Sequence, residues 1–234
     1  SFPTRRSSDL GSVVVGWTGA TAIRWQNGRY ESVQIPSGGP TGSRNVSVSA
    51  DGNTIVGTGF IWQYGVRVWE IPRQRGGSMQ LSGLTADGRV AFGLANPVNG
   101  TTTSGGFFRL TGWDSTGGPQ YEWLFDTAPG VTAIPVIRAA DDGNTAVIQG
   151  SNLGNLIWSR RLGMLTSAEF FTRNDIDISA WTNLAATSVS ADGRTFVGYG
   201  TNTTTGRQEG WIVTIPAPGA AILLFTSLAF RRRR

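Results

Sequence analysis

The sequence predicts an all-β fold of small antiparallel sheets repeated along the chain, and three observations carry the prediction. The stretch SVSADGNTIVGTG begins at Ser47 and recurs as SVSADGRTFVGYG at Ser188, with ten of thirteen positions identical. Asp-Gly followed five residues later by Gly occurs three times: Asp51-Gly52 with Gly57, Asp87-Gly88 with Gly93, and Asp192-Gly193 with Gly198. The chain combines 33 Gly with 9 Trp and 11 Phe, which is many turns and much apolar area to bury in 234 residues.

Each repeat reads as a succession of short elements. Val46 and Val48 alternate with Ser47 and Ser49, the period-two pattern of a half-buried strand. Ala-Asp-Gly then supplies a tight turn, because Gly accepts positive φ and Asp hydrogen-bonds its own backbone. Asp51, Gly52, Asp87, Gly88, Asp142, Gly143, Asp192 and Gly193 are therefore assigned as structural turn residues. The segment after the turn, NTIVG or RTFVG, is rich in β-formers and ends on a Gly that marks a bulge or close strand approach. A third strand follows: Ala22-Ile23-Arg24-Trp25, Phe60-Ile61-Trp62, Phe107-Phe108-Arg109-Leu110, Leu156-Ile157-Trp158 and Gly210-Trp211-Ile212-Val213. Its aromatic side chains are expected to wedge neighbouring sheets together. A weaker fourth strand ends several units, as in VQIP and VWEIP.

The turn glycines are spaced by 36, 55 and 50 residues, and Gly11 with Gly16 forms a further copy 41 residues before Gly52. Periods of this length belong to propellers, solenoids and arrays. Three to four short strands per unit favour a β-propeller-like repeat of antiparallel blades over a sandwich. The copy at Asp142-Gly143 carries Ile148 where the others have Gly. The copy at Gly11 lacks its turn acid, so the repeat domain, residues 11–215, is expected to be incomplete at its N-terminal side.

Composition removes several function classes. The net charge of +5 is concentrated at the ends, and residues 11–230 hold fourteen Arg against fourteen acids. No basic stripe exists, so nucleic acid is not an expected partner. Cys and His are absent, which excludes disulfides, thiolate nucleophiles, His-based zinc sites and Ser-His-Asp triads. No cofactor is implied.

Residues 1–10, SFPTRRSSDL, resemble the translation of a common sequencing adapter and are set aside from the fold as foreign. The natural N-terminus, with any signal peptide, is then expected upstream. Residues 216–234 read differently. Pro216 and Pro218 break structure, Gly219 to Phe230 are mostly apolar, and Arg231, Arg232, Arg233 and Arg234 close the chain. Twelve apolar residues fall short of the roughly 20 that span a bilayer, but a hydrophobic helix ending in Arg favours the cytoplasmic side for that end.

This tail is similar to the PEP-CTERM sorting signal, with Pro216-Ala217-Pro218 standing where the family commonly has Pro-Glu-Pro. The resemblance implies transient membrane association and export across the inner membrane. It also implies processing by an exosortase-type enzyme, then a location at the cell surface or in the exopolysaccharide matrix. The pattern of Ser-x-Asp-Gly, apolar strand, Gly and an Ala-Phe-Arg-Trp-like strand resembles the HAF repeat family of extracellular repeat proteins, over most of residues 11–216. NDIDISAWTNLAATSVSADGRTFVGYGTN reads like the last repeat of sorted members, preceded by a short helix near Ser167 to Arg173. The family implies an exported bacterial β-repeat protein and brings no catalytic residues.

The turn aspartates invite a calcium reading, but each copy offers one acid, with two only at Asp141-Asp142, where a calcium loop wants several oxygens. Glu122, Asp126 and Glu169 have no spacing that marks the carboxylate pair of a glycosidase, so no enzymatic activity is expected. Trp17, Trp69, Trp113, Trp123 and Trp181 fall outside the repeated strand phrase. Among them the insert LTGWDSTGGPQYEWLF, with Trp113, Tyr121 and Trp123, is the candidate ligand-binding loop for exopolysaccharide. The sequence therefore leaves three readings: a structural or binding component of the surface, a lectin-like propeller, and a propeller-fold enzyme acting on glycosides.

Overall fold

The computed structural model describes residues 6–7, 12–18, 21–33, 46–71, 79–95, 105–113, 118–127, 136–150 and 154–216. The rest of the N-terminal decamer, and the tail with Pro218, the expected hydrophobic helix and Arg231 to Arg234, lie outside the described residues.

Among the described residues the chain is all-β with one short helix, and its strands form five small antiparallel sheets. The first sheet holds β1 (Arg6–Ser7), β2 (Val13–Thr18), β3 (Thr21–Gln26) and β4 (Arg29–Val33). The second holds β5 (Val46–Val48), β6 (Thr54–Gly57), β7 (Phe60–Gln63) and β8 (Arg67–Glu70). The third comprises β9 (Met79–Leu84), β10 (Ala91–Ala95), β11 (Gly106–Thr111) and β12 (Gln120–Asp126). In the fourth are β13 (Val136–Ala139), β14 (Thr145–Gly150), β15 (Gly154–Ser159) and β16 (Gly163–Thr166). The fifth has three strands, β17 (Trp181–Val189), β18 (Thr195–Asn202) and β19 (Arg207–Thr214). In every sheet each strand pairs with its neighbour in sequence.

The first strands of successive sheets lie side by side, β1 by β5, β5 by β9, β9 by β13 and β13 by β17. Apolar side chains fill the four gaps between sheets. Val15, Ile55 and Phe60 pack between the first and second, and Val56, Ile61, Leu81 and Phe108 between the second and third. Phe92, Ile148 and Trp158 fill the third gap, and Val147, Ile157, Phe196 and Trp211 the fourth.

The Asp-Gly turn joins the first and second strands of the second to fifth sheets, and its four copies share one geometry. Ser49, Thr85 and Ser190 donate their hydroxyls to Oδ1 of Asp51, Asp87 and Asp192. The same hydroxyls accept the amides of Thr54, Val90 and Thr195 at 2.9, 3.0 and 2.9 Å. Gly52, Gly88, Gly143 and Gly193 have φ of 75°, 71°, 62° and 72°, the left-handed region that favours glycine. In the fourth sheet Ala140 has no hydroxyl to give, yet Asn144 still donates its amide to Asp142 at 2.8 Å and the turn persists.

These turns also bind the sheets to one another. A Cβ on Gly52 would meet Val13 of the preceding sheet, and one on Gly88 would lie 2.7 Å from Thr54 Oγ1. Gly143 seats against Val90 and Gly193 against Thr145 in the same manner. Backbone bonds follow this line: the Ala50 amide donates to Ala86 O and the Asp141 amide to Ala191 O, both at 2.8 Å. Asp141 Oδ1 accepts the Ala86 amide at 3.3 Å.

The trailing glycines have a separate role. Gly93 pairs with Phe108 and Gly198 with Trp211, and a Cβ on either would collide with that ring. The register slips opposite both, between Phe92 and Gly93 and between Ala186 and Ser188. Helix α1 (Ser167–Thr172) links the fourth and fifth sheets, opened by a capping box between Thr166 and Glu169. It buries Phe170 and Phe171, whose rings stand 5.2 Å from Phe196 and Trp211 respectively.

Three features of the structure bear on the sequence reading. Arg6 and Ser7, in the decamer set aside as foreign, pair with Val15 and Val14 and fill the first place of the first sheet. The inner edge of β2 offers unpaired backbone groups, and an extended segment of almost any sequence satisfies them. Among the described residues the fifth sheet is the three-stranded one. Ser47 and Ser49 are buried, because the inner strand has a sheet against both faces; Ser47 donates to Ser82 O at 2.7 Å.

Gly88→Ala should lower the free energy of unfolding by about 3 kcal/mol, from positive φ plus the clash with Thr54. Gly65→Ala, at φ 66° with nothing within 4 Å, should cost about 1 kcal/mol in the same urea titration.

Candidate functional site

Between the fourth and fifth sheets the turns open onto a groove of about 920 Å³. The fourth sheet contributes the Asp142 turn with Asn144, and the β15–β16 turn with Arg160 and Arg161. From the end of α1 come Arg173, Asn174 and Asp175; from the fifth sheet come Asp192 and Arg194. Both turns of the fourth sheet reach this end because a meander returns every second connection to the same side.

The groove is lined by polar and apolar groups together, and its polar side chains are unequally free. Asn174 Nδ2 donates to Phe170 O at 2.8 Å, and its Oδ1 accepts Arg161 Nη2 at 2.6 Å, so the helix end fixes Arg161. Arg160 is exposed and its guanidinium has no partner among the described residues. Arg173 is exposed one turn from Glu169. Asp142 and Asp192 each spend Oδ1 on the amide two residues on. The Ser190 hydroxyl, then the Arg194 amide, hold the Asp192 carboxyl below the ordinary carboxylate range. The net result is an open cleft with the exposed guanidiniums of Arg160 and Arg173, two carboxylates committed to turns, and the exposed Asp175.

The residues singled out in the sequence are dispersed. The four Asp-Gly turns line one side of the stack, one in each of the second to fifth sheets, and two of them rim the groove. Trp113 is 2% exposed, within the core between the second and third sheets. Tyr121 and Trp123 are on β12, half-buried against that core, with Trp123 5.8 Å from Phe108. Trp113 therefore presents no open ring to a ligand, which corrects the loop reading: the insert supplies a strand and a core anchor, because a ring this large contributes most when buried. Pro216 lines the groove. Glu122 accepts from Arg109 at 2.9 Å, and Glu169 caps α1, its carboxyl lowered first by the Thr166 amide.

Sequence reasoning missed a repeated ion pair. Arg24 and Arg109 occupy one register position in the first and third sheets, opposite Val15 and Phe92, where Ile61 and Ile157 sit in the second and fourth. Arg24 is 4% exposed; it binds Glu31 at 3.1 Å and Gly52 O at 3.0 Å, and lies over the Tyr64 ring. The Arg recurring in the third-strand phrase was the available signal.

The sequence matches no protein-family model and no curated protein. Among solved structures the chain is similar to TolB from Acinetobacter baumannii, with TM-score 0.52 and 13% identity over 90% of this chain. That protein is a β-propeller. The fold is β-propeller-like. The chain spans 55% of the length of that TolB, and at this identity the likeness concerns the fold alone. A protein assigned as TolB in Agrobacterium tumefaciens has TM-score 0.49 and 12% identity, over 92% of this chain and 77% of its own.

Ser190→Ala should raise the Asp192 pKa toward the ordinary 3.8, read by carbon-detected NMR titration. Because the folded pKa lies beneath the unfolded value, the wild-type carboxylate contributes stability above that pH and loses it as pH falls through the folded value. The variant should show a weaker dependence of this kind in acid denaturation, because the Arg194 amide still holds the carboxylate.

Proposed function

We propose that the chain is a binding component of the bacterial surface or extracellular matrix, with sheets arranged as blades around one axis and the groove as its ligand site. The observation that carries the reading is the open groove of about 920 Å³ with exposed Arg160 and Arg173 at its rim. Its size suits an oligosaccharide, and guanidinium forks pair with carboxylate or hydroxyl oxygens. Exopolysaccharide is the proposed ligand, matched by the charged and amide side chains among the cleft's lining residues. The tail supports export and sorting by an exosortase-type system, through Pro216, Pro218 and the closing Arg cluster. A binding role is favoured over glycoside chemistry because Asp142 and Asp192 are engaged in their turns, which leaves Asp175 as the one uncommitted carboxylate among the described lining residues where that chemistry needs two.

Purified matrix polysaccharide should bind the wild-type protein in calorimetry, and Arg160→Ala with Arg173→Ala should weaken that binding at least about tenfold. Equal binding by the double variant would remove the groove from consideration. A reporter carrying residues 216–234 should reach the surface only in cells with an exosortase.

A further inference from the structure

The groove between the fourth and fifth sheets holds more hydrogen-bond donors than acceptors. Charge alone does not choose its occupant, because three aspartates line it against four arginines. Hydrogen-bonding capacity does. A guanidinium carries only N–H donors and no acceptor. The acceptors beside the arginines are largely engaged already. Asp142 Oδ1 takes the Asn144 amide, and Asp192 Oδ1 takes the Arg194 amide and the Ser190 hydroxyl. Ser159 Oγ accepts the Leu162 amide at 3.1 Å, and Asn174 Oδ1 accepts Arg161. Among the lining side chains, Asp175, the Asn144 oxygen and the second oxygens of the turn aspartates are left to accept, against the donors of four guanidiniums. A sugar hydroxyl both donates and accepts, so a neutral saccharide brings further donors to a cleft already rich in them. A carboxylate only accepts.

One guanidinium is held in place before any ligand arrives. Asn174 is tied to the end of α1 twice, by its amide to Phe171 O at 3.0 Å and by Nδ2 to Phe170 O at 2.8 Å. Its Oδ1 then receives Arg161 Nη2 at 2.6 Å. This spends a single donor of Arg161 and leaves the remainder in the groove. A planar fork fixed in this way loses little freedom on meeting a carboxylate, and paired N–H to carboxylate bonds are about twice as strong as neutral ones. Arg160, by contrast, has no partner to orient it among the described residues.

We propose that the groove selects saccharides bearing carboxylates, uronic acid units above all, and that Arg161, positioned by Asn174, reads the carboxylate. The inference rests on the saccharide-binding reading of this groove given above.

Calorimetry with a galacturonate oligomer and its methyl ester, which share one backbone, tests it. Wild-type protein should bind the acid at least about tenfold more tightly than the ester. Arg161→Ala, at an exposed position, should reduce that ratio to about twofold or less, and Arg161→Lys should not restore it, because an ammonium lacks the planar fork. Asn174→Ala should lower the ratio as well, with thermal unfolding followed alongside. Arg160→Ala should weaken acid and ester alike and keep the ratio. Equal affinity of the wild type for acid and ester would overturn the inference and leave the groove a saccharide site. Binding of matrix polysaccharide but of neither oligomer would overturn it in the same way. No binding of any saccharide would overturn the inference together with the function it rests on. A ratio unchanged in Arg161→Ala would remove Arg161 from the role.

Discussion

A carboxylate that accepts the amide two residues on, joined in three of the four Asp-Gly turns by a hydroxyl, sets the geometry on which the stack depends. The hydroxyl donates to the aspartate and accepts from the strand amide five residues on, so its proton is ordered in one direction. This locks the angle at which the second strand leaves the first. It also thrusts a glycine, with no Cβ, against the preceding sheet. A side chain there would push the sheets apart and open the apolar gap behind them. Polar order at the turn and apolar packing between sheets are thus two ends of one constraint.

The turns, the succession of strands and the wedging aromatics were legible in the sequence because each is a local pattern. Asp-Gly names a left-handed glycine, and alternating residues name a strand. What stayed hidden depended on the neighbouring sheet. Ser47 and Ser49 looked solvent-facing because alternation reports which side a residue takes, not whether water is there; in a strand with sheets on both sides, the serines hydrogen-bond inside. Trp113 was misplaced for the same reason.

The groove was less legible still. Its arginines come from a strand turn, a helix end and a strand start that are far apart in sequence, so no spacing betrays them. The buried Arg24 and Arg109 illustrate how the same residue type serves a different end. Each lies between sheets with its head turned to a glutamate on the fourth strand, which leaves the charge paired at the edge of the core. Position within the sheet, rather than charge, separates a structural guanidinium from one available to a ligand.

The strand order within every sheet is simple succession. All ladder bonds therefore close over a few dozen residues at most, and no strand waits for a distant part of the chain before it can pair. Chain-closure entropy stays small within a sheet, and the long-range contacts are reserved for docking one finished sheet on the last. A polypeptide of this kind is suited to acquire structure progressively from one terminus as it emerges from a narrow passage, each completed unit serving as the template for the next.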